Sequence, residues 1–290
     1  MLDGVVRALA RSRRCVVVTG AGISVAAGIP DFRSLHGLYN VVPTRPGASA
    51  SCATRGKDLF DVSVFREAQS TADFFAFIGD LKQRSDRADV TRAHRFIKQL
   101  DTRGKLLRCY TQNIDGLEAR LPLAQYTETC ADGKVVRLHG ELDTVVCTRC
   151  GHACTFSMAL QAEFLEGRTV PCEACEAHDR VREAAGKRSL GALGHLRPNI
   201  VLYNEPHAQG EAIARIAAAD QRRRPDLLIV IGTSLKVIGI KMLIKDLAAK
   251  VHERPSGRVI LINKEPLGKE WDAVFDYQLL GCADDMVQAI

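Results

Sequence analysis

Cys147 and Cys150, followed by Cys172 and Cys175, form two Cys-x-x-Cys pairs in the middle of the chain. Thiolates on two such tight turns are soft ligands that close a tetrahedron around zinc, with bonds of about 2.3 Å. Four protein ligands leave no position for water, so the metal would hold a small module together and leave the chemistry to other residues. The 21 residues between the pairs slightly exceed the about 15–20 of a tight zinc ribbon, which suits a small inserted domain. Cys154 is a further ligand candidate whose spacing fits less well. A second group is Gly20-Ala-Gly22-Ile-Ser-Val25, with Val25 where the third glycine of the dinucleotide fingerprint would stand. Glycines there let a backbone approach a pyrophosphate and aim N–H groups at it, or serve only a tight turn. The third is His139, at the end of an apolar run. A near-neutral imidazole suits proton abstraction, whereas a hydrogen-bonded structural histidine is the plainer reading.

The elements that would position these groups alternate between strands and helices. Cys15-Val-Val-Val-Thr19 is a buried-strand run after a short amphipathic helix carrying Val5, Val6, Leu9 and Ala10, and it leads into the glycine turn and a helix. Further strands are expected at residues 106–110, 135–138, 199–203, 227–231, 259–262 and 277–280. These runs are mostly continuous rather than alternating, as in parallel strands covered on both faces. Helical patterns at 93–100, 211–219 and 240–251 separate several of them. The pattern predicts an α/β fold, a doubly wound Rossmann-like parallel sheet.

Two stretches interrupt it. Residues 35–61, rich in Gly, Pro, Ser and Ala, read as a loop folding over a ligand or as disorder. The helix-like segment with Phe65, Phe74, Phe75, Ile78 and Leu81 reads as the core of a small helical module. The expected organisation is a discontinuous large domain of residues 1–40, 86–140 and 195–290, a cofactor loop and helical module at 41–85, and a zinc-binding module at 141–194.

With 290 residues and 46% hydrophobic content, the chain can bury one full core and a smaller satellite. Ten cysteines without a leading secretory pattern argue for a reducing compartment rather than a disulfide scaffold. Cys15, Cys109 and Cys130 read as buried packing residues. No apolar run reaches the about 18 residues of a bilayer span, so a soluble protein and no membrane partner are expected. The net charge of +6 is modest, with local clusters at Arg11/Arg13/Arg14 and Arg222/Arg223/Arg224. A solvated face explains each cluster, and contact with nucleosomal DNA is the sharper alternative.

Four ordered segments, residues 20–34, 111–117, 138–140 and 232–235, with the cysteine pairs between the third and fourth, closely resemble the sirtuin family. The resemblance covers nearly the whole chain. It implies an NAD-dependent protein-lysine deacylase with a Rossmann-like domain and a smaller domain of zinc ribbon and helical module. Carried over by position, it implies Gly20, Ala21, Gly22 and Ser24 at the pyrophosphate and adjacent ribose, and Asp31, Phe32 and Arg33 on the covering loop. Gln112, Asn113, Ile114 and Asp115 would line the nicotinamide and its ribose. Gly232, Thr233 and Ser234, then Asn263, Lys264 and Glu265, then Cys282, would surround the adenosine half. His139 would be the general base, with Asn113 and Asp115 sharing the catalytic site. In the implied mechanism the acyl-lysine oxygen displaces nicotinamide, and His139 then activates the ribose 2'-hydroxyl directly or through its neighbour. Water completes the transfer to give lysine and O-acetyl-ADP-ribose, and one structural zinc takes no part.

The segment Arg197–Glu205 resembles the one with which sirtuins pair an extended peptide, so Ile200, Val201, Leu202, Tyr203 and Asn204 are candidate substrate contacts. Many members carry Phe-Gly-Glu where this chain has Tyr203-Asn204-Glu205, which puts Asn204 at a sensitive place. Local matches at residues 56–60, 138–143, 198–203 and 232–237 look like the fungal nuclear subgroup that acts on histone H3. The resemblance thus implies acetylated histone, or another acetyl-lysine protein, as partner and the nucleus as location. The competing readings are a protein ADP-ribosyltransferase and a non-catalytic NAD- or zinc-dependent chromatin-binding module.

Overall fold

Every residue of the first strand, β1 (Cys15–Thr19), is buried, because its side chains alternate between two apolar layers. The computed structural model describes residues 1–31, 58–127, 130, 132–189 and 191–290. The helices in chain order are α1 (Leu2–Arg11), α2 (Ala68–Arg87), α3 (Arg92–Thr102), α4 (Met158–Leu165), α5 (Glu173–Ala184), α6 (Gly210–Arg222), α7 (Ile238–His252) and α8 (Ala283–Gln288). The remaining strands are β2 (Leu106–Thr111), β3 (Val135–Arg137), β4 (Gly140–Cys147), β5 (Ala153–Thr155), β6 (Val170–Pro171), β7 (His195–Ile200), β8 (Leu227–Ile231), β9 (Arg258–Asn263) and β10 (Tyr277–Leu280).

Six of these strands form a sheet in the order β10-β9-β8-β1-β2-β3, with every neighbouring pair parallel. Cys15, Val17, Ile229 and Ile260 pack on one face against Val5 and Leu9 of α1, Ile97 of α3 and Val287 of α8. Val16, Val18, Val230 and Leu261 pack on the other against Ile216 of α6 and Ile244, Leu247 and Val251 of α7. This is the doubly wound sheet expected from the continuous apolar runs. In α1, Val5 is buried while Val6 is exposed, so the apolar stripe is narrower than its residue types suggest.

One charged residue lies inside these layers. Arg108, in the middle of β2, is 3% exposed and meets the fully buried Asp220 of α6 through Nε at 2.8 Å and a second nitrogen at 3.0 Å. The Tyr110 hydroxyl donates to the same carboxylate at 2.6 Å. Burial of both charges is tolerable because the paired geometry satisfies them together.

The other four strands make a separate antiparallel sheet, β5-β4-β7-β6. Sequence reading put a strand at residues 199–203 within the large domain. The observed β7 begins four residues earlier, at His195, and pairs with β4 and β6 in the small sheet. The helical and zinc-binding stretches share one core rather than two. Phe75 of α2 stacks 4.5 Å from Phe164 of α4, and Phe156 lies 5.0 Å from Phe164. The expected loop at 35–61 lies outside the described residues except for 58–61.

The four cysteine sulfurs of the two pairs lie within 4.8 Å of one another. Cys147 and Cys175 are 3.7 Å apart and Cys150 and Cys172 3.8 Å apart. Zinc–sulfur bonds of about 2.3 Å in a tetrahedron separate sulfurs by about 3.8 Å, so the arrangement fits zinc. The backbone N–H groups of Arg149 and Cys150 point at the Cys147 sulfur, at 3.3 and 3.5 Å. Gly194 lets the chain pass this turn, since a Cβ there would sit 2.3 Å from the same sulfur. Cys154 is not in the cluster; it packs half-buried against the small-domain core. Cys15 and Cys109 are buried as expected, but Cys130 is exposed in a turn closed by its N–H on the Thr127 carbonyl.

The two basic clusters, distant in sequence, meet at the amino ends of β1 and β8. Asp226 binds them by accepting from the Ser12 hydroxyl at 2.8 Å and from the N–H groups of Arg13 and Arg14 at 3.0 Å. The Arg14 guanidinium donates to the Arg223 carbonyl, and Arg254, from the loop before β9, donates to the Arg224 carbonyl at 3.1 Å.

Replacing Cys172 by Ser removes one of four ligands from a module whose core is contiguous with the metal site. Elemental analysis should show loss of about one zinc per chain, accompanied by a lower Tm. Full zinc retention in the variant would refute the four-cysteine assignment.

Candidate functional site

The strand order reverses at the middle of the large sheet, with β2 and β3 on one side of β1 and β8, β9 and β10 on the other. Such a reversal opens a crevice beyond the carboxyl ends of the strands, where α/β folds hold ligands. The loops after β1 and β8 meet there. Gly20 N–H donates to the Ile231 carbonyl at 3.0 Å, Gly22 N–H to the Gly232 carbonyl at 2.9 Å, and Gly232 N–H to the Ile262 carbonyl at 2.9 Å. A Cβ on Gly20 or Gly22 would come within 2.7 Å of atoms of Gly232 or Thr233, and Gly232 itself has φ +66°. The glycines therefore serve a close approach of two loops as well as any ligand. After Gly20 the chain makes two short 3-10 turns, Ala21–Ile23 and Val25–Ala27, instead of the expected helix. Gly28, at φ +82°, and Pro30 end that course.

A cavity of about 1550 Å³ opens from this crevice. It exceeds the about 300–1,000 Å³ of a usual small-molecule site, so it has room for more than one ligand. Gly20, Ala21, Gly22, Asp31, Gln112, Asn113, Ile114 and His139 line it from the β1, β2 and β3 ends. Gly232, Thr233, Ser234, Asn263, Lys264, Glu265 and Cys282 line it from the β8, β9 and β10 side. Ile200, Val201, Leu202, Tyr203 and Asn204 border it from the small domain. Phe32 and Arg33 lie outside the described residues.

Ser24 and Asp115 are not among the lining residues. Both are buried, and the Ser24 hydroxyl donates to Asp115 Oδ2 at 2.6 Å while the Leu117 N–H donates to Oδ1 at 3.0 Å. Their polar groups satisfy one another behind the cavity wall. Burial and then the neighbouring Glu118 charge push the Asp115 pKa up to about 6, against the bonds from Ser24 and Leu117. Close to them, His94 accepts from the Thr91 N–H at Nδ1, and burial holds its pKa down at about 4. Sequence reading missed Glu118, which is 3% exposed and gathers Thr19 and Thr111 around its carboxyl group. Its only sequence signal is an acidic residue seven positions beyond Thr111, where the turn after Gly116 (φ +74°) leads back.

His139 stands half-buried in the cavity wall, with Nδ1 3.0 Å from the Gln112 carbonyl. A carbonyl only accepts, so Nδ1 carries the proton and Nε2 is the acceptor. Burial lowers the His139 pKa, the Gln112 carbonyl raises it, and nearby His207 lowers it; the net shift is downward. The neutral tautomer is thereby ready to take a proton. Asn113 Oδ1, by contrast, is a buried oxygen with no hydrogen-bond partner among the described residues. Gln112 is held by Nε2 bonds of 3.1 Å to the Thr19 carbonyl and the Thr233 hydroxyl.

On the small-domain side, the Val201 N–H donates to the His139 carbonyl at 3.0 Å, tying this segment to the imidazole. Tyr203 exchanges backbone bonds with the 60–62 segment, its N–H donating to Phe60 at 2.7 Å and its carbonyl accepting from Val62 at 3.0 Å. Asn204 has φ 61°, the left-handed conformation that glycine occupies freely and asparagine tolerates. Its side chain bonds Asp61. Asn204 thus supplies the backbone turn that a glycine would, so its departure from the family pattern is conservative in geometry. Glu205 accepts from Arg197 at 2.7 and 3.0 Å and from the Leu202 N–H at 3.0 Å, while Arg197 lies over the Phe65 ring at 5.1 Å. These supports were not evident in sequence, since they join residues by folding.

Comparison with known proteins agrees with this geometry. The Sir2 family model matches residues 20–239. NAD-dependent histone deacetylase HST3 of Saccharomyces cerevisiae is 42% identical over 299 residues, covering 99% of this chain and 66% of the relative. NAD-dependent protein deacetylase hst4 of Schizosaccharomyces pombe is 41% identical, covering 97% of this chain and 66% of that protein. The chain spans two thirds or less of these relatives' own length. A solved Sir2 homologue in complex with 2'-O-acetyl ADP ribose superposes with a TM-score of 0.72 at 25% identity, over 99% of this chain and 96% of that one. Motif order, sheet topology and identity along nearly the whole chain agree, and the chain belongs to the Sir2 family.

Proposed function

We propose that the chain is an NAD-dependent protein-lysine deacetylase acting on acetylated histone, with histone H3 as the first substrate to test and the nucleus as its place of action. The observation that carries this is a cavity wall in which His139, a neutral imidazole with Nε2 as acceptor, stands with Asn113, whose buried Oδ1 has no partner among the described residues. The names of the HST3 and hst4 relatives support the same reaction and, for HST3, the histone substrate.

The residues present fit NAD. Gly20, Gly22 and Gly232 let the loops after β1 and β8 close on each other where any Cβ would strike the facing loop, and all three line the cavity. Gly20, Ala21 and Gly22 would hold the phosphates, with Asp31 at the covering side. Gln112, Asn113 and Ile114 would face the nicotinamide ribose, backed by Ser24 and Asp115. Gly232, Thr233, Ser234, Asn263, Lys264, Glu265 and Cys282 would hold the adenosine end. When bound, NAD supplies an activated ribosyl carbon that receives the acyl oxygen as nicotinamide leaves. His139 takes a proton at Nε2 while Gln112 fixes its tautomer through Nδ1. Asn113 offers Oδ1 to a hydroxyl donor, which removes the penalty of an unsatisfied buried acceptor. The segment of Ile200, Val201, Leu202, Tyr203 and Asn204 borders the cavity next to His139 and would carry the peptide. The four-cysteine cluster lies outside the cavity lining, in keeping with a structural zinc.

A second partner reading rests on the joined basic loops. Arg13, Arg14, Arg223 and Arg224 are exposed along the amino ends of adjacent strands, with Arg254 and Arg258 half-buried beside them. Arginine forks in a row suit the phosphates of duplex DNA, so we infer contact with nucleosomal DNA there. Duplex affinity should fall with salt, and the Arg14→Glu/Arg223→Glu variant should bind at least about tenfold more weakly with a shallower log–log slope. Salt-independent affinity, or equal binding by the variant, would remove this contact.

Mass spectrometry of acetylated core histones incubated with the protein, with and without NAD, tests the main reading. NAD-dependent acetyl loss with O-acetyl-ADP-ribose is expected. Added ADP-ribose mass without acetyl loss would favour the transferase alternative, and no change in either would overturn the assignment.

His139→Ala should reduce turnover by about 10²- to 10⁴-fold with zinc content retained. For the unsubstituted protein, kcat/KM should hold through neutrality and fall only on the acid side of the ordinary histidine range, because His139 must be unprotonated and burial lowers its pKa. An acid limb centred above pH 7 would exclude this imidazole as the base.

A further inference from the structure

We propose that Glu118 is a positioning residue of the NAD site, fixing the Asn113 amide with its nitrogen toward Glu118 and Ser24 and its oxygen turned away from them for a ligand donor. This rests on the reading of the cavity as an NAD site.

Three local features put Glu118 in place. The chain leaves β2 at Thr111, turns at Gly116 in the left-handed conformation, and enters the short 3-10 turn Leu117–Arg120. That course returns the Glu118 carboxyl group beneath the carboxyl ends of β1 and β2. Its Oε1 accepts from the Thr111 hydroxyl at 2.6 Å and the Thr19 hydroxyl at 3.3 Å. The same oxygen lies 3.5 Å from Asn113 Nδ2. Thr19, Thr111, Asn113 and Glu118 are all at most 4% exposed, so water does not compete for these groups.

The amide nitrogen has a second acceptor on its own side. Ser24 Oγ is also 3.5 Å from Asn113 Nδ2, and the Ser24 proton is donated to Asp115 at 2.6 Å. A flipped amide would set Oδ1 against two oxygens, one a carboxyl oxygen already accepting two hydroxyls and the other a hydroxyl whose proton is used. In the observed orientation Nδ2 faces both acceptors, and Oδ1 of this cavity-lining residue is buried with no partner among the described residues. The ligand group that satisfies it is a hydrogen-bond donor, as a ribose hydroxyl is. Glu118 would therefore act through Asn113 and not on the reacting atoms.

The geometry makes the two residues energetically dependent, which a double-mutant cycle reads directly. NAD affinity by calorimetry and kcat on an acetyl-lysine peptide would be measured for Glu118→Ala, Glu118→Gln, Asn113→Ala and the Asn113→Ala/Glu118→Ala pair. Glu118→Ala should weaken NAD binding or lower kcat by about tenfold or more. Glu118→Gln, which keeps an acceptor oxygen, should stay within about threefold of the unsubstituted protein. In the Asn113→Ala background, Glu118→Ala should add less than about twofold. Multiplicative effects in the pair, or a lower Tm with NAD affinity and kcat unchanged, would overturn the proposal.

If Glu118→Ala fails to melt cooperatively, a polarity swap decides. Asn113→Asp turns an oxygen toward Glu118, and adding Glu118→Gln supplies a donor to it. Recovery of the NAD affinity lost in Asn113→Asp supports the positioning role, and no recovery sinks it. Calorimetry separates this from the deacetylase reading, because a protein that binds NAD without deacetylating still decides the cycle. Absence of NAD binding by the unsubstituted protein would overturn both.

Discussion

Backbone meets backbone where the loops after β1 and β8 cross, and this contact governs everything placed around it. Gly22 N–H on the Gly232 carbonyl at 2.9 Å leaves less room than one Cβ, so neither loop can carry a side chain at the crossing. The crossing sits where strand order reverses, hence at the one point of the sheet where diverging connections open a crevice. From the same loops hang Ser24, which reaches Asp115, and Thr233, which holds Gln112. Gln112 in turn sets the tautomer of His139 through its carbonyl. A displacement at the glycines would pass through these bonds to the imidazole.

The large sheet was legible because its strands are continuous apolar runs, and the zinc cluster because Cys-x-x-Cys spacing is local chemistry. The cavity-lining set was largely legible through motif resemblance. What escaped reading depends on distant segments meeting. Nothing in the 106–110 run foretells that Arg108 is paired inside the layers, because Asp220 of α6 comes opposite it only on folding. The apolar run at 200–202 suggested a large-sheet strand, but β7 lies mostly before it, in His-Leu-Arg-Pro-Asn-Ile, and its pairing with β4 assigns it to the small sheet. Ser24 and Asp115 matched by position, yet their mutual bond withdraws both from the cavity surface. Glu118 drew no reading, because nothing local announces that it lies beneath two strand ends.

The small domain shows how a departure from a family pattern can preserve geometry. At residue 204 the backbone needs a positive φ, and asparagine meets that need at modest cost while its side chain finds Asp61. The adjoining Glu205 is pinned by Arg197, itself covered by Phe65 of the shared aromatic core. Zinc, through Cys147 and Cys172, closes the far side of that same core. The metal thus reaches the cavity only mechanically, by stiffening the domain that presents residues 200–204.

The site's polar groups are satisfied unevenly, and the unevenness is informative. Asp115, Ser24, Glu118, Thr19 and Thr111 occupy one another, which keeps a carboxyl-rich region stable without solvent. Asn113 Oδ1 has no partner among the described residues, and His139 Nε2 is left as an acceptor. An unsatisfied buried acceptor costs about 1–3 kcal/mol, a loss recovered only by a ligand that donates. Two acceptors on one wall are poorly matched to a carboxylate or phosphate and well matched to hydroxyls. The glycine loops differ from this wall, because the N–H groups of Gly20, Gly22 and Gly232 are spent on carbonyls of the loop crossing and of the strand ends beside it. Two acceptors side by side would orient a molecule that carries ribose hydroxyls, and would direct those hydroxyls to the His139 imidazole.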